Sequence, residues 1–418
     1  MKLSKTSQIA LVSRVFLIPL LVSLTGLAAA TLLTGCQLVT VDYVYVACSS
    51  GSGAGSAGQI DAYDVDSQSG ALRPGPASVP SGGTDPVAMA VTANYYHLYV
   101  ANAGNNSVVH FSISDVGQLT QKDSITTSQT PVFMAVNQAN TYLYVISGTT
   151  SATLTEYSLN TEGVIGSAVA QVNLNLSAVN AAYSTDTMVP TGVAVLPNNS
   201  AVYVTAYDQS AYNPGGGTTS SANPGWLFGF SVSSSGALTP TTGSPYQAGV
   251  KPTAVTTDQV NRFVYVTDFA SDELIGYTVE DGDVLEFMVT GPFKTGNEPT
   301  SIQVDPREEY IYLVNELSNT VSSYTINLPT GSPAAVVNSN SSLAYSTDTQ
   351  PVSLVIEPSL GRFIYTANHL GNSISGFRLN PNSGALTATQ ATPYPTGANP
   401  TAIVAVPHGN HATQSVTP

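Results

Sequence analysis

An all-β, seven-bladed β-propeller is the fold class predicted here, on three observations. A Tyr-centred apolar strand recurs seven times, each recurrence sits in a unit of four strand-like segments, and the last unit is followed by a spare strand that the first lacks. Composition agrees. Of 418 residues 42% are hydrophobic and 9% charged, against about 25% charged in ordinary globular chains. Long helices solubilise their outer faces with Lys, Glu and Arg, which are scarce here, whereas Tyr, Val and Thr between turn residues favour strands.

The chain opens with Lys2, Lys5 and Arg14 ahead of an apolar stretch from Val15 to Leu33, and no acid precedes Asp42. A charged n-region followed by an apolar h-region predicts a secretory signal over 1–35. The stretch ends Leu33-Thr34-Gly35-Cys36, which resembles the bacterial lipobox, in which small residues precede a Cys that takes lipid. The expectation is a lipidated Cys36 and a short tether over 36–41. The protein would then be anchored by lipid in the membrane of a bacterial cell envelope. Gln37 in place of Asp favours the outer membrane, on its periplasmic or surface face. Loss of 1–35 leaves 8 basic and 26 acidic residues, a formal charge of −18. Such a surface repels nucleic acid and anionic headgroups. Cys48 is then the one remaining thiol, which excludes an intramolecular disulfide.

The repeat follows over 42–406. Its tyrosines are Tyr45, Tyr99, Tyr144, Tyr203, Tyr265, Tyr312 and Tyr365, at steps of 54, 45, 59, 62, 47 and 53 residues. Uneven steps suit a fixed sheet with variable loops better than a solenoid. Before most Tyr strands stands a Pro-led run such as Pro252-Thr253-Ala254-Val255. After them come a polar turn and an alternating segment such as Ser107–Ile113, then a Gly-Ala-Leu signal at Gly70, Gly236 and Gly384, then a less regular fourth strand. The spare strand, 401–406, should complete the first blade and close the ring, removing its free edges. Residues 407–418 read as a polar, disordered tail.

In this arrangement the turns after the Tyr strands and the starts of the Pro-led strands crowd one mouth of the channel. Four residues past each Tyr, blades four to seven present Tyr207, Phe269, Glu316 and His369. Aromatic walls beside one acid and one imidazole make a candidate small-ligand site, with Glu316 and His369 as candidate catalytic or ligand-binding groups. Three residues past the Tyr stand Asn102, Asp268, Asn315 and Asn368. Of these, Asp268, Asn315 and Asn368 are candidate mouth contacts, although Asn and Asp also shape turns through their own backbone. The excursion from Asp208 to Trp226 is either a flexible linker or a lid, with Tyr212 and Trp226 as contact residues. The histidines lack zinc spacing, Asp61, Asp64 and Asp66 lack an EF-hand's Gly and Glu, and no nucleophile elbow or phosphate loop is present. Neither a metal nor a cofactor is called for.

Segments such as Asn261-Arg262-Phe263-Val264-Tyr265-Val266 and Val314-Asn315-Glu316-Leu317-Ser318-Asn319-Thr320-Val321 resemble the seven-bladed lactonase family, which includes 6-phosphogluconolactonases and carboxy-muconate cyclases. They also resemble envelope propellers built from Tyr-Val-Thr-Asn repeats. The resemblance covers about 42–406. It implies lactone hydrolysis by basic residues and a His near the mouth, often in a Gly-Pro-Arg-His segment of the sixth blade. That segment reads Glu298-Pro299-Thr300-Ser301 here, the fifth blade reads Pro252-Thr253, and the seventh Pro351-Val352-Ser353. Glu316 remains from the family set, and Lys251 is a candidate substitute cation. These departures favour a non-catalytic module binding a small neutral ligand, a glycan or an envelope protein. The alternative is a lactone hydrolase or related sugar-acid enzyme.

Overall fold

The computed structural model describes residues 39–49, 57–149, 151–177, 187–212, 224–336 and 344–409. The expected signal segment, Cys36 and residues 410–418 of the expected tail lie outside them, whereas Pro407, expected in the tail, ends a strand. Residues Thr40–Pro418 form one compact unit, distinct from Met1–Val39. Among the described residues no helix is long and apolar enough to cross a membrane.

Seven antiparallel sheets correspond one to one with the seven repeats. Blade five is typical: Pro252–Thr257 innermost, then Phe263–Asp268, Glu273–Glu280 and an outer edge. That edge is broken in two, Val284–Phe287 and Phe293–Lys294, as it is in blades one, four, six and seven. In blades two and three it is continuous, at Leu119–Thr126 and Ile165–Asn173. The closing strand runs Pro400–Pro407 and pairs with Thr40–Ser49, so the expected closure holds, with one residue more at each end.

The Tyr strands are the middle of every wall because apolar residues on both of their faces are covered by neighbouring blades. All seven repeat tyrosines are fully buried. Six also tie one blade to the next, since each hydroxyl donates to a backbone carbonyl in the next blade's outer turn. Tyr45 reaches Gly117 O at 2.6 Å, Tyr265 reaches Gly331 O at 2.7 Å, and Tyr365 reaches Gly70 O at 2.7 Å, across the ring closure. All six acceptors are in left-handed backbone, five of them glycine and the sixth Asp283 at φ +61°; at Gly70, φ +69°, a Cβ would strike the Phe363 ring. The Gly-Ala-Leu signal is therefore the socket of a tyrosine lock.

On the face opposite the mouth, the ends of the inner strands in blades two, three, five, six and seven carry a polar side chain that accepts backbone N–H groups of the following turn. Asp258 takes Arg262 and Phe263, Asp305 takes Glu309 and Tyr310, and Glu357 takes Arg362 and Phe363. Arg262 and Arg362 read from the repeat as equivalent surface residues, but Arg262 bridges blades. Its guanidinium meets Asp258 at 3.1 Å and Glu308 of blade six at 2.6 Å.

Candidate functional site

Each inner strand begins with a bulge directly after its Pro: Pro252 pairs with Asp268 and Ala254 with Thr267, leaving Thr253 unpaired. The same shift occurs at Pro190, Pro299 and Pro351. A bulged residue is freed from the ladder and can turn its side chain elsewhere. Thr191, Thr253 and Thr401 use that freedom to donate their hydroxyls to the Pro carbonyls of the adjoining blade, Pro252, Pro299 and Pro86, at 2.8, 2.6 and 2.7 Å. These threonines line a channel cavity of about 280 Å³ together with Thr300, Ser301 and Ser353. The throat below the mouth therefore carries no charge among its lining residues.

The mouth is built from two residues per blade. The turn residue after the Tyr strand donates its N–H to the carbonyl of the residue before Pro. Phe269 is held on Lys251, Glu316 on Glu298, and His369 on Gln350, at 2.9, 2.8 and 2.7 Å. Glu298 and Gln350 adopt left-handed backbone, φ +58° and +61°. For long side chains such conformations cost on the order of 1–2 kcal/mol, and both are pinned. The N–H of Glu298 donates to Asp272 Oδ1 at 2.8 Å, and that of Gln350 to Asn319 Oδ1 at 2.6 Å.

Three of the sequence-predicted residues converge around a cation. Lys251 Nζ lies 4.1 Å from the Phe269 ring centroid, 5.4 Å from Tyr212 and 5.7 Å from Tyr207. Tyr212 packs edge-on against Tyr207 at 5.3 Å. The ammonium has no ion-pair partner among the described residues; Glu298 and Glu316 act on it only through space. Burial lowers the Lys251 pKa, and those two carboxylates oppose the shift. On the other side, Glu316 Oε1 accepts from Gln350 Nε2 at 2.6 Å. His369 Nδ1 lies 3.1 Å from the Pro400 carbonyl. A carbonyl cannot donate, so Nδ1 carries a proton, and in the neutral ring the lone pair is on Nε2.

Other expected contacts belong to the wall. Asp268, Asn315 and Asn368 stand beside the mouth but are fully buried. Asp268 accepts from the Val250 and Lys251 N–H groups, both at 2.8 Å. Asn315 ties Gly296 to Thr320 and Ser322, and Asn368 ties Thr366 to Ser373 and Ser375. They position the turns and have no free face for a ligand. Trp226 is not a lid residue either. It belongs to the third strand of blade four, Gly225–Val232, opposite Ala206 and Gln247, and packs on the core between blades three and four. The middle of the excursion, 213–223, lies outside the described residues.

Sequence reasoning missed Glu298 and Gln350 as mouth residues. The signal was the residue before each repeat's Pro, whose carbonyl holds the mouth turn. Another unforeseen cluster lies in blade two, where His97, His110 and Asp123 form a chain with contacts of 3.0 and 2.5 Å, away from the mouth turns.

The family model for the seven-bladed β-propeller lactonases matches residues 114–412. The chain belongs to that family. Similar solved structures include a candidate 6-phosphogluconolactonase of Bacteroides uniformis, at 15% identity and TM-score 0.69, covering 88% of this chain and 100% of that one. A periplasmic gluconolactonase of Pseudomonas aeruginosa matches at 15% identity and TM-score 0.69, covering 88% and 99%. A candidate 6-phosphogluconolactonase of Bacteroides fragilis matches at 16% and 0.67, covering 88% and 98%. At such identities these likenesses speak for the fold. No protein of curated function matches the sequence.

Proposed function

We propose that this lactonase-family propeller hydrolyses a lactone lacking phosphate at the channel mouth, in the cell envelope. The carrying observation is His369, whose Nδ1–H is fixed on the Pro400 carbonyl, which makes Nε2 the acceptor nitrogen of the neutral ring. In this reading Nε2 takes a proton from water as the water attacks the lactone carbonyl. The Lys251 ammonium stabilises the oxyanion that develops, its charge favoured by Glu298 and Glu316. Collapse of the tetrahedral intermediate breaks the ring C–O bond, and the proton returns from His369 to the leaving alkoxide. Glu316, held by Gln350, orients the site. An uncharged throat and a formal charge of −15, which becomes −18 on loss of residues 1–35, both disfavour a phosphorylated substrate. The lipobox-like segment ending at Cys36 and the likeness to a periplasmic enzyme support the location.

The throat favours a second reading, a non-catalytic binder of a neutral ligand or envelope protein, because Thr253, Thr300 and Ser301 stand in the segments where the resemblance implies basic residues or His. The two separate by assay of the full chain in detergent against a lactone panel. Turnover lost in His369→Ala and reduced in Glu316→Gln and Lys251→Met supports hydrolysis. Saturable ligand binding without turnover supports the second reading and refutes the first. Radiolabelled palmitate incorporation, abolished by Cys36→Ala, tests the anchor.

A further inference from the structure

Resting on that hydrolytic reading, the substrate class can be narrowed. We infer that the lactone carries an alkyl or acyl substituent, which the exposed leucines on the rim of blades six and seven receive. The observation is positional. Five residues past the repeat Tyr, at the tip of the mouth turn, stand Gly104, Thr149, Asp208, Ala270, Leu317 and Leu370 in blades two to seven. Only the last two are large and apolar, they are neighbours round the ring, and each directly follows one of the acid–base candidates, Glu316 and His369. Both are well exposed, Leu317 at 60% and Leu370 at 61%, so neither serves the core.

Scattered exposed apolar residues are ordinary on any protein. A pair that directly follows the two acid–base candidates in the mouth turns of blades six and seven, with Tyr207, Tyr212 and Phe269 grouped around Lys251 in blades four and five, is a different arrangement. Ligand sites are mostly apolar surfaces with a few convergent polar groups, and this rim has that composition. A polyhydroxylated sugar lactone would desolvate its hydroxyls against leucine with no partner to replace the lost water. A phosphorylated one would find, among the described residues of the mouth, Lys251 as the cation, already influenced by the Glu298 and Glu316 carboxylates. An alkyl chain removes apolar area from water on both sides, at roughly 0.8 kcal/mol per buried methylene.

The test compares kcat/KM of the full chain for glucono-δ-lactone, 6-phosphoglucono-δ-lactone and δ-decalactone, with Leu317→Ser, Leu370→Ser and the double variant. The expected result is δ-decalactone favoured over glucono-δ-lactone by at least tenfold, with that ratio falling about tenfold in the double variant. A preference for either sugar lactone, or a ratio unmoved by the substitutions, overturns the alkyl assignment and leaves lactone hydrolysis standing. Absence of turnover with all three substrates overturns both.

Discussion

Glu156 is the most informative residue to perturb, because it breaks the rule that holds the ring together. In the register of five blades the residue opposite the repeat Tyr is small: Ala62, Gly229, Gly276, Ser323 and Gly376 in blades one, four, five, six and seven; blade two places His110 there, partnered by His97 and Asp123. Blade three places Glu156 there, fully buried, with both carboxylate oxygens lacking a hydrogen-bond partner. Burial pushes its pKa up to about 7, and the nearby Tyr144 phenol only partly offsets this. The ordinary value is 4.5. Between those two values the native state holds one proton more than the unfolded chain, so stability falls as pH rises, by about 1.4 kcal/mol per unit. Above pH 7 the full penalty applies, on the order of 3 kcal/mol. Glu156→Gln has the same shape and no proton to lose. Its stability should match the native protein near pH 4.5 and exceed it by up to about 3 kcal/mol at pH 8. Denaturant midpoints at several pH values would show the gap opening with pH. A constant gap, or none, would refute the account of a buried ionising carboxyl.

Three further outcomes are expected. Arg262→Ala should destabilise by about 1–3 kcal/mol, because it strands the buried Asp258 and Glu308; a double-mutant cycle with Glu308→Gln should recover part of the loss in denaturant unfolding. Asp42 has its pKa raised well above the carboxylate range by burial and by the neighbouring Glu357, itself raised by burial. Ionising that pair penalises the native state as pH rises, so Asp42→Asn should gain on the native protein in Tm from acid toward neutral pH, and parallel Tm–pH profiles would contradict this. The Cys48 thiol, buried beside Asp61 and pushed up to about 12, should resist iodoacetamide at pH 8 in the native state and react on unfolding.

The ring was legible in the sequence because its cause is periodic. A Tyr buried between blades recurs in every repeat and a Gly in left-handed backbone receives it at five joints, and the unmatched strand at the end had one place to go. The broken outer edges were not legible, since two- and three-residue strands such as Tyr246–Gln247 carry no period. At the site, pattern reasoning located Tyr207, Phe269, Glu316 and His369 by counting from the Tyr, a count the sheet register preserves. It misplaced Trp226 because the long excursion hid where the third strand of blade four resumes. It underrated Lys251, whose importance comes from three rings, two of them in other parts of the chain. Arg262 resembled Arg362 in sequence, and only the packing of blade six against blade five distinguishes them.

The closing strand also decides how the ring bears load. Its pairing with Thr40–Ser49 is antiparallel, and Asp42 faces Pro407 while Cys48 faces Pro400. The two points where the described chain enters and leaves the ring thus lie at the same end of one strand pair. A pull applied between them would peel that pair open one rung at a time, starting at Asp42 and Pro407, instead of shearing all its rungs together. The joint that completes the circle is therefore also its mechanical fuse, and it fails from the face opposite the mouth.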